Sequence, residues 1–479
     1  MTAVVYPIDL DALYNDLEFT KVADYLRGRA SGSLELPDQL LRIECLARSG
    51  DGHVAMPLLI DALASVDHDD NVYATAAIVY QSVGKLDLAA KYIERALAAN
   101  PDNWKAIHAK TMLHLYNGEY EESEADLERL IASRPDMEQS FLFFLTAFEV
   151  YSASRNVDKL AVLYEGRADY LLSLGEKAAA GNKRTDHELY SKLSGLNLFS
   201  VDCAEDRIEL PVEDFQEGTP YKCLVITVDS MQYRILLDTG NAVGWTVHSK
   251  DLWNKIVAMR GANSPTATGS VLKTLMSHYI FVDSIAIDDV VFNNLLGVFF
   301  GKPREPYYDA NLNPFFIRDR VTSIDFVNDR FILRSKERFD NDMSALPDSA
   351  YTTLPCYGYE WPFIPVTVND YAPGLAMIET GAEDISVKLE FAKLIGLGMT
   401  PDSMIWRDGK TYYFQKAPID VKIGRFDFSR PNARIWPMRF HDKLTGMFDN
   451  IMVGPAALED KFIISFDPFD RQVIIQRAK

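Results

Sequence analysis

The sequence has little of what several large classes of protein require. It has no run of about 18 apolar residues, which excludes a transmembrane helix. The opening MTAVVYPIDLDALYND has neither a basic start nor a long apolar segment, so it does not read as a secretory leader. Positive charge is in deficit: 49 Lys and Arg against 69 Asp and Glu leave a formal net charge of −20. That balance argues against a nucleic-acid or membrane partner, since nucleic acid and anionic membrane both select a basic surface. Cysteine is scarce. Cys45, Cys203, Cys223 and Cys356 are scattered without a CxxC spacing and read as free thiols in a reducing compartment rather than as a disulfide framework or metal site. The expected location is therefore cytoplasmic, with a periplasmic or secreted one as the alternative if a leader has been removed. The eight histidines form no HExxH, and neither a GxSxG elbow nor a phosphate-binding P-loop occurs. Asp67-His68-Asp69-Asp70 reads as a solvated loop rather than a metal site, and GLGMTP (Gly396 to Pro401) lacks the third glycine of a dinucleotide loop. No cofactor and no metal are expected.

What is present is an ordinary globular composition, 48% hydrophobic and 25% charged over 479 residues, enough for two to four domains. The first part repeats itself. Gly50, Gly84 and Gly118 stand 34 residues apart, each in a turn between two helical patterns. Five residues after each comes a small residue, Ala55, Ala89 and Ser123, and seven further on Ala62, Ala96 and Leu130. Pro101 and Pro135 close two of the units. Glycine permits the turn, and small residues let neighbouring helices approach. This pattern resembles the tetratricopeptide repeat (TPR), most clearly over residues 36–137, with a degenerate leading unit at Asp16 to Leu26 and a shifted later one at Arg155 to Gly175. The alternative is a generic helical bundle. The resemblance implies a concave face that binds a peptide or protein. At the positions matching that face stand Ala74, Thr75, Ile78, His108 and Met112, which do not make a carboxylate clamp, so substrate capture and a structural or dimerising role both stay open.

From Tyr221 the chain alternates like strands, and it too repeats. YKCLVITVDSMQYRILLDTG matches PFIPVTVNDYAPGLAMIETG: strand, polar turn, strand, then Asp/Glu-Thr-Gly. Downstream, Asn313-Pro314 matches Gly454-Pro455, Ile317 matches Leu458, and Asp325 matches Asp467. Asp238 to Asp325 is 87 residues and Glu379 to Asp467 is 88. Two lobes of one plan follow, joined by a polar linker, RSKERFDNDMSALPDSAYTT. Each half resembles a retropepsin-type lobe, and together they resemble a single-chain, pepsin-like aspartic peptidase over residues 206–479. The expected architecture is multidomain: an all-α TPR-like helical repeat domain at 1–195, then a mainly-β bilobal aspartic-protease fold with lobes at 206–340 (DTG) and 346–479 (ETG).

The resemblance implies that Asp238 and Glu379 face each other across a cleft, that Thr239 and Thr380 bond across to the opposite loop, and that Gly240 and Gly381 let the loops approach. Two carboxylates this close share one proton, so one takes a proton from water while the other polarises the scissile carbonyl; the handling of such a pair in aspartic proteases is well established. The chain departs from the pattern at Glu379, whose extra methylene advances the carboxylate by roughly 1.3–1.5 Å, one carbon–carbon step. A misplacement near 1 Å costs about a hundredfold in rate. Ala242 and Glu383 stand where many members carry Ser or Thr, and Asn313, opposite Gly454, is expected to tolerate a left-handed backbone. Flap candidates are Asn263 to Lys273 and the hairpin Ile405 to Phe414. The function expected is an aspartic-type endopeptidase (hydrolase) whose repeat domain recruits a protein or peptide substrate. The alternatives are an inactive pseudo-peptidase that binds peptides, and a repeat module carried on a peptidase-like scaffold.

Overall fold

A computed structural model describes residues 9–29, 34–65, 69–215, 221–228, 230–260, 277–287, 289–300, 308–382, 384–405, 411–436, 444, 451–458 and 462–478. Asp67, His68, Glu383, the Asn263 to Lys273 flap candidate and the tip of the other, residues 406–410, lie outside them. The chain divides into two compact units. The first comprises residues 1–154, 388–397 and 437–449, and the second 155–387, 398–436 and 450–479.

The first unit is an array of paired helices: α1 (Leu10–Asn15), α2 (Phe19–Arg29), α3 (Leu36–Arg48), α4 (Gly52–Ser65), α5 (Asp70–Ser82), α6 (Leu86–Ala99), α7 (Trp104–Asn117), α8 (Tyr120–Ser133) and α9 (Phe141–Ala153). Gly50, Gly84 and Gly118 sit at φ 82°, 75° and 75°, a left-handed backbone in which a side chain would be strained. Each therefore lies in the turn that closes the first helix of its pair, which repeats every 34 residues. Ala55, Ala89 and Ser123 are fully buried on the second helices, and the Ser123 hydroxyl donates to the Thr111 carbonyl at 2.9 Å, so its burial leaves no orphaned donor. Asp69 caps α5 by accepting the Asn71 and Val72 amides, and Asp70 accepts the Asn100 and Asn103 carboxamides; these two residues of the acidic loop are used in joining repeats.

The five residues expected on the concave face do not line an open surface: Ala74, Thr75, Ile78, His108 and Met112 are all at most 1% exposed, on first helices that pack against one another. His108 belongs instead to a buried polar cluster. Its Nε2 lies 3.1 Å from the Thr146 hydroxyl, and its Nδ1 faces Arg48 at 3.5 Å. Arg48 also bonds Glu44 at 3.0 Å and donates to the Leu444 carbonyl; Lys105 reaches Glu44 at 2.5 Å, and Tyr14 donates to the same carboxylate. Burial alone would raise Glu44, but Lys105 and Arg48 hold it down at about 2, while burial and Arg48 keep His108 well below the usual histidine value, hence neutral.

The second unit opens with the helical hairpin α10 (Val157–Ser173) and α11 (Lys177–Lys192), whose Tyr164 and Tyr190 stack at 5.4 Å. The rest is mainly β. One sheet runs β1 (Ser200–Asp202), β8 (Val290–Phe300), β6 (Trp245–Val247), β9 (Ala310–Leu312), β5 (Met231–Leu237), β4 (Lys222–Val228), β3 (Glu213–Asp214), with β7 (Ser277–Ile287) also paired to β8. Another runs β13 (Phe363–Val368), β14 (Tyr371–Ile378), β19 (Ile451–Val453), β15 (Ser386–Lys388), β18 (Phe426–Trp436), β17 (Thr411–Ile423), β16 (Thr400–Ile405). The same hairpin-plus-parallel-strand plan recurs: β5 pairs parallel with β9, and β14 with β19. A third sheet, β12 (Tyr351–Pro355), β21 (Gln472–Arg477), β20 (Phe462–Asp467), β10 (Val321–Asp325), β11 (Arg330–Arg334), β2 (Arg207–Pro211), joins the two copies. At its centre Ser323 and Ser465 pair with their hydroxyls 2.7 Å apart, equivalent residues meeting across the repeat. Asp325 and Asp467 each accept the amides two and three residues on, so these matched acids cap turns.

One further expectation is corrected. The stretch read as a polar linker contains a helix, Lys336–Ser344. Ser335 caps it, Lys336–Asp340 and Arg338–Asp342 pair along it, and Phe339 and Met343 pin it to the Val321 and Ile474 core. Ahead of Tyr221, β2 is an edge strand whose Leu210 is buried and whose Arg207 pairs with Asp342 at 2.7 Å.

Candidate active site

Each acidic tripeptide follows the end of a buried strand. β5 delivers Asp238 after Ile235, Leu236 and Leu237, and β14 delivers Glu379 after Ala376, Met377 and Ile378; all six apolar residues are buried. The parallel partner fixes each loop from behind. The Asp238 amide donates to the Leu312 carbonyl at 2.9 Å, and the Glu379 amide to the Val453 carbonyl at 3.0 Å.

The two loops then lock to each other. Thr239 and Thr380 are buried, and each accepts the other's backbone amide on its hydroxyl, at 3.1 and 3.0 Å. Each hydroxyl also donates to the carbonyl preceding the opposite carboxylate residue, Thr239 to Ile378 at 2.6 Å and Thr380 to Leu237 at 2.7 Å. The glycines explain how close the loops come. A Cβ on Gly240 would lie 2.5 Å from Glu379 Oε1, and one on Gly381 would collide with the Asp238 carboxylate. Each carboxylate thus rests over the glycine of the other loop. Asp238, Thr239, Gly240, Glu379, Thr380 and Gly381 are brought together in one place.

The environment of Asp238 is defined. Its Oδ1 accepts the Gly240 amide at 2.9 Å, and its Oδ2 accepts the Asn311 carboxamide at 2.7 Å. Desolvation dominates: despite both hydrogen bonds, which favour the anion, its pKa is raised from 3.8 to about 6. A carboxyl in that range changes charge near neutrality, which is what proton transfer to and from water requires.

Sequence reasoning missed three supports. Asn311, on β9, carries no motif signal beyond being a polar residue between apolar neighbours. The tolerance of Asn313 for a left-handed backbone is not called on, since its φ is −88°, an extended conformation; its side chain is what matters. The carboxamide donates to the carbonyls of Thr239, Asn241 and Glu360 at 3.0–3.2 Å, bracing the first loop where Gly454 has no side chain to do so. The Trp361 indole donates to the Gly240 carbonyl at 3.1 Å. Ala242 offers no hydroxyl.

No family model matches the chain, and no curated protein matches it. Among solved structures, its N-terminal helical region is similar to tetratricopeptide repeat proteins. A tetratricopeptide repeat protein from Parabacteroides merdae ATCC 43184 is 18% identical, covering 36% of this chain and 76% of that one, with a TM-score of 0.23. MamA of MSR-1 is 14% identical, covering 36% and 98%, at 0.21. MamA 41-end from Desulfovibrio magneticus RS-1 is 13% identical, covering 36% and 97%, at 0.22. Among the described residues, no helix is long and apolar enough to cross a membrane.

Proposed function

We propose that the second unit is an aspartic-type endopeptidase of bilobal acid-protease fold, and that the helical array recruits or orients a protein or peptide substrate. The observation that carries this reading is the reciprocal threonine interlock, which holds Asp238 and Glu379 each over the opposite glycine. Water held between the two carboxylates gives a proton to the ionised one and attacks the peptide carbonyl, while the protonated one donates to the carbonyl oxygen. The tetrahedral product then collapses with proton return to the leaving amine. The chemistry needs positioning and one shared proton, which a rigid pair of loops supplies.

A second reading, a peptide-binding protein without hydrolysis, draws on the length of Glu379, which places its carboxylate one methylene further forward than aspartate would. A mixed peptide library incubated with wild type, Asp238→Asn and Glu379→Asp, and read by mass spectrometry, separates the two. Cleavage by wild type that Asp238→Asn abolishes supports the peptidase. An inert wild type beside an active Glu379→Asp supports the binding protein, and cleavage undiminished in Asp238→Asn rejects the dyad.

A further inference from the structure

The two halves of the site differ at one register position that bears on the carboxylates directly. On β9, Asn311 pairs with Leu236, two residues before Asp238. On β19, Met452 pairs with Met377, two residues before Glu379. The repeat therefore places an amide donor at the position on one side and a thioether, which has no hydrogen to donate, on the other. Asn311 is only 6% exposed, and its Nδ2 meets Asp238 Oδ2 at 2.7 Å. That donor favours the carboxylate over the carboxylic acid, since a protonated Oδ2 would present hydrogen against hydrogen.

We infer that Asn311 is a positioning residue that breaks the symmetry of the pair, holding the shared proton on Glu379 and leaving Asp238 as the ionised base. The inference rests on the peptidase reading for its catalytic meaning, but its physical content, which carboxyl ionises first, does not. It also gives Glu379 a role suited to its length: the acid is the partner that must reach forward to the substrate carbonyl oxygen. Among the described residues, the Gly240 amide and the Asn311 carboxamide donate to Asp238, the Glu379 carboxylate lies over the adjoining Gly240, and no cation contributes to the ionisation of Asp238. Removing the Asn311 donor therefore leaves no cation to compensate it.

The test is a spectroscopic titration of the full chain, with 13C-labelled aspartate followed by isotope-edited infrared absorption and Asp238→Asn used to assign the band. Asn311→Leu, close in shape but without a donor, is expected to raise the Asp238 midpoint by about one pH unit, a tenfold change in proton affinity. Asn311→Gln, which keeps the amide, is expected to stay within about half a unit of wild type. In a cleaving enzyme the acid limb of the kcat/KM profile moves with the Leu variant's midpoint. A midpoint unmoved in Asn311→Leu, or moved equally in both variants, overturns the inference. Because the titration needs no turnover, a wild type that cleaves nothing removes the peptidase reading alone, while a static midpoint in a cleaving enzyme removes the Asn311 assignment alone.

Discussion

Asp238 shows how a single residue answers to competing forces. Its place at the end of a buried strand removes solvent, and the two hydrogen bonds it receives recover only part of that loss. A carboxyl whose folded pKa is raised stabilises the fold below its unfolded value, near 3.8, and loses that contribution as pH rises through about 6. Asp238→Asn does not titrate, so the variant is expected to gain on wild type by about 2 kcal/mol between pH 4 and pH 7, after allowance for partial exposure of the group. Denaturant unfolding of both proteins across that range reads the difference directly; a gap that stays constant with pH contradicts the assigned burial. The same residue could be found in the sequence because Asp238-Thr239-Gly240 is echoed by Glu379-Thr380-Gly381, each with matching stretches upstream and downstream. Asn311 could not, because its meaning depends on strand pairing that brings together residues 73 apart in the chain.

At the scale of elements, the helical pairs were the most legible part of the fold. Glycine at positive φ and a buried small residue five positions on are local requirements, so they leave a local mark. Ala89 tests the packing half of that rule. It is fully buried against its neighbours, and Ala89→Leu is expected to cost about 1–3 kcal/mol of unfolding free energy through overpacking. Ala98→Leu, on the exposed side of the same helix, should change it by no more than about 0.5 kcal/mol. Equal effects at the two positions would mean that the small residue is not what lets the helices approach. Elements fixed by long-range contacts were harder to read. The helix Lys336–Ser344 presents seven polar or charged residues out of nine, and only two apolar residues four apart, Phe339 and Met343, hold it to a core built from strands on both sides of it in sequence. Edge strand β2 likewise reads as a charged turn until its partner β11, more than a hundred residues on, is known. The five residues expected on the concave face are buried for a related reason: residue spacing gives the side of a helix but not whether the next helix covers it.

For the molecule as a whole, duplication is the organising fact. Two copies of one plan meet at Ser323 and Ser465 in the shared sheet and again at Thr239 and Thr380, so the carboxylates are carried on two supports that brace each other. The hydrogen bonds of the threonine interlock hold the two acidic loops to each other. The central claim is that both carboxyls act, one as base and one as acid. The most direct measurement of it is the pH dependence of kcat/KM on a peptide that the wild type cleaves, taken for wild type, Asp238→Asn and Glu379→Gln. If Asp238 and Glu379 act as proposed, the wild-type profile is bell-shaped and each variant loses at least about a hundredfold at every pH. A variant that keeps the wild-type rate, or a wild-type profile without both limbs, would contradict it.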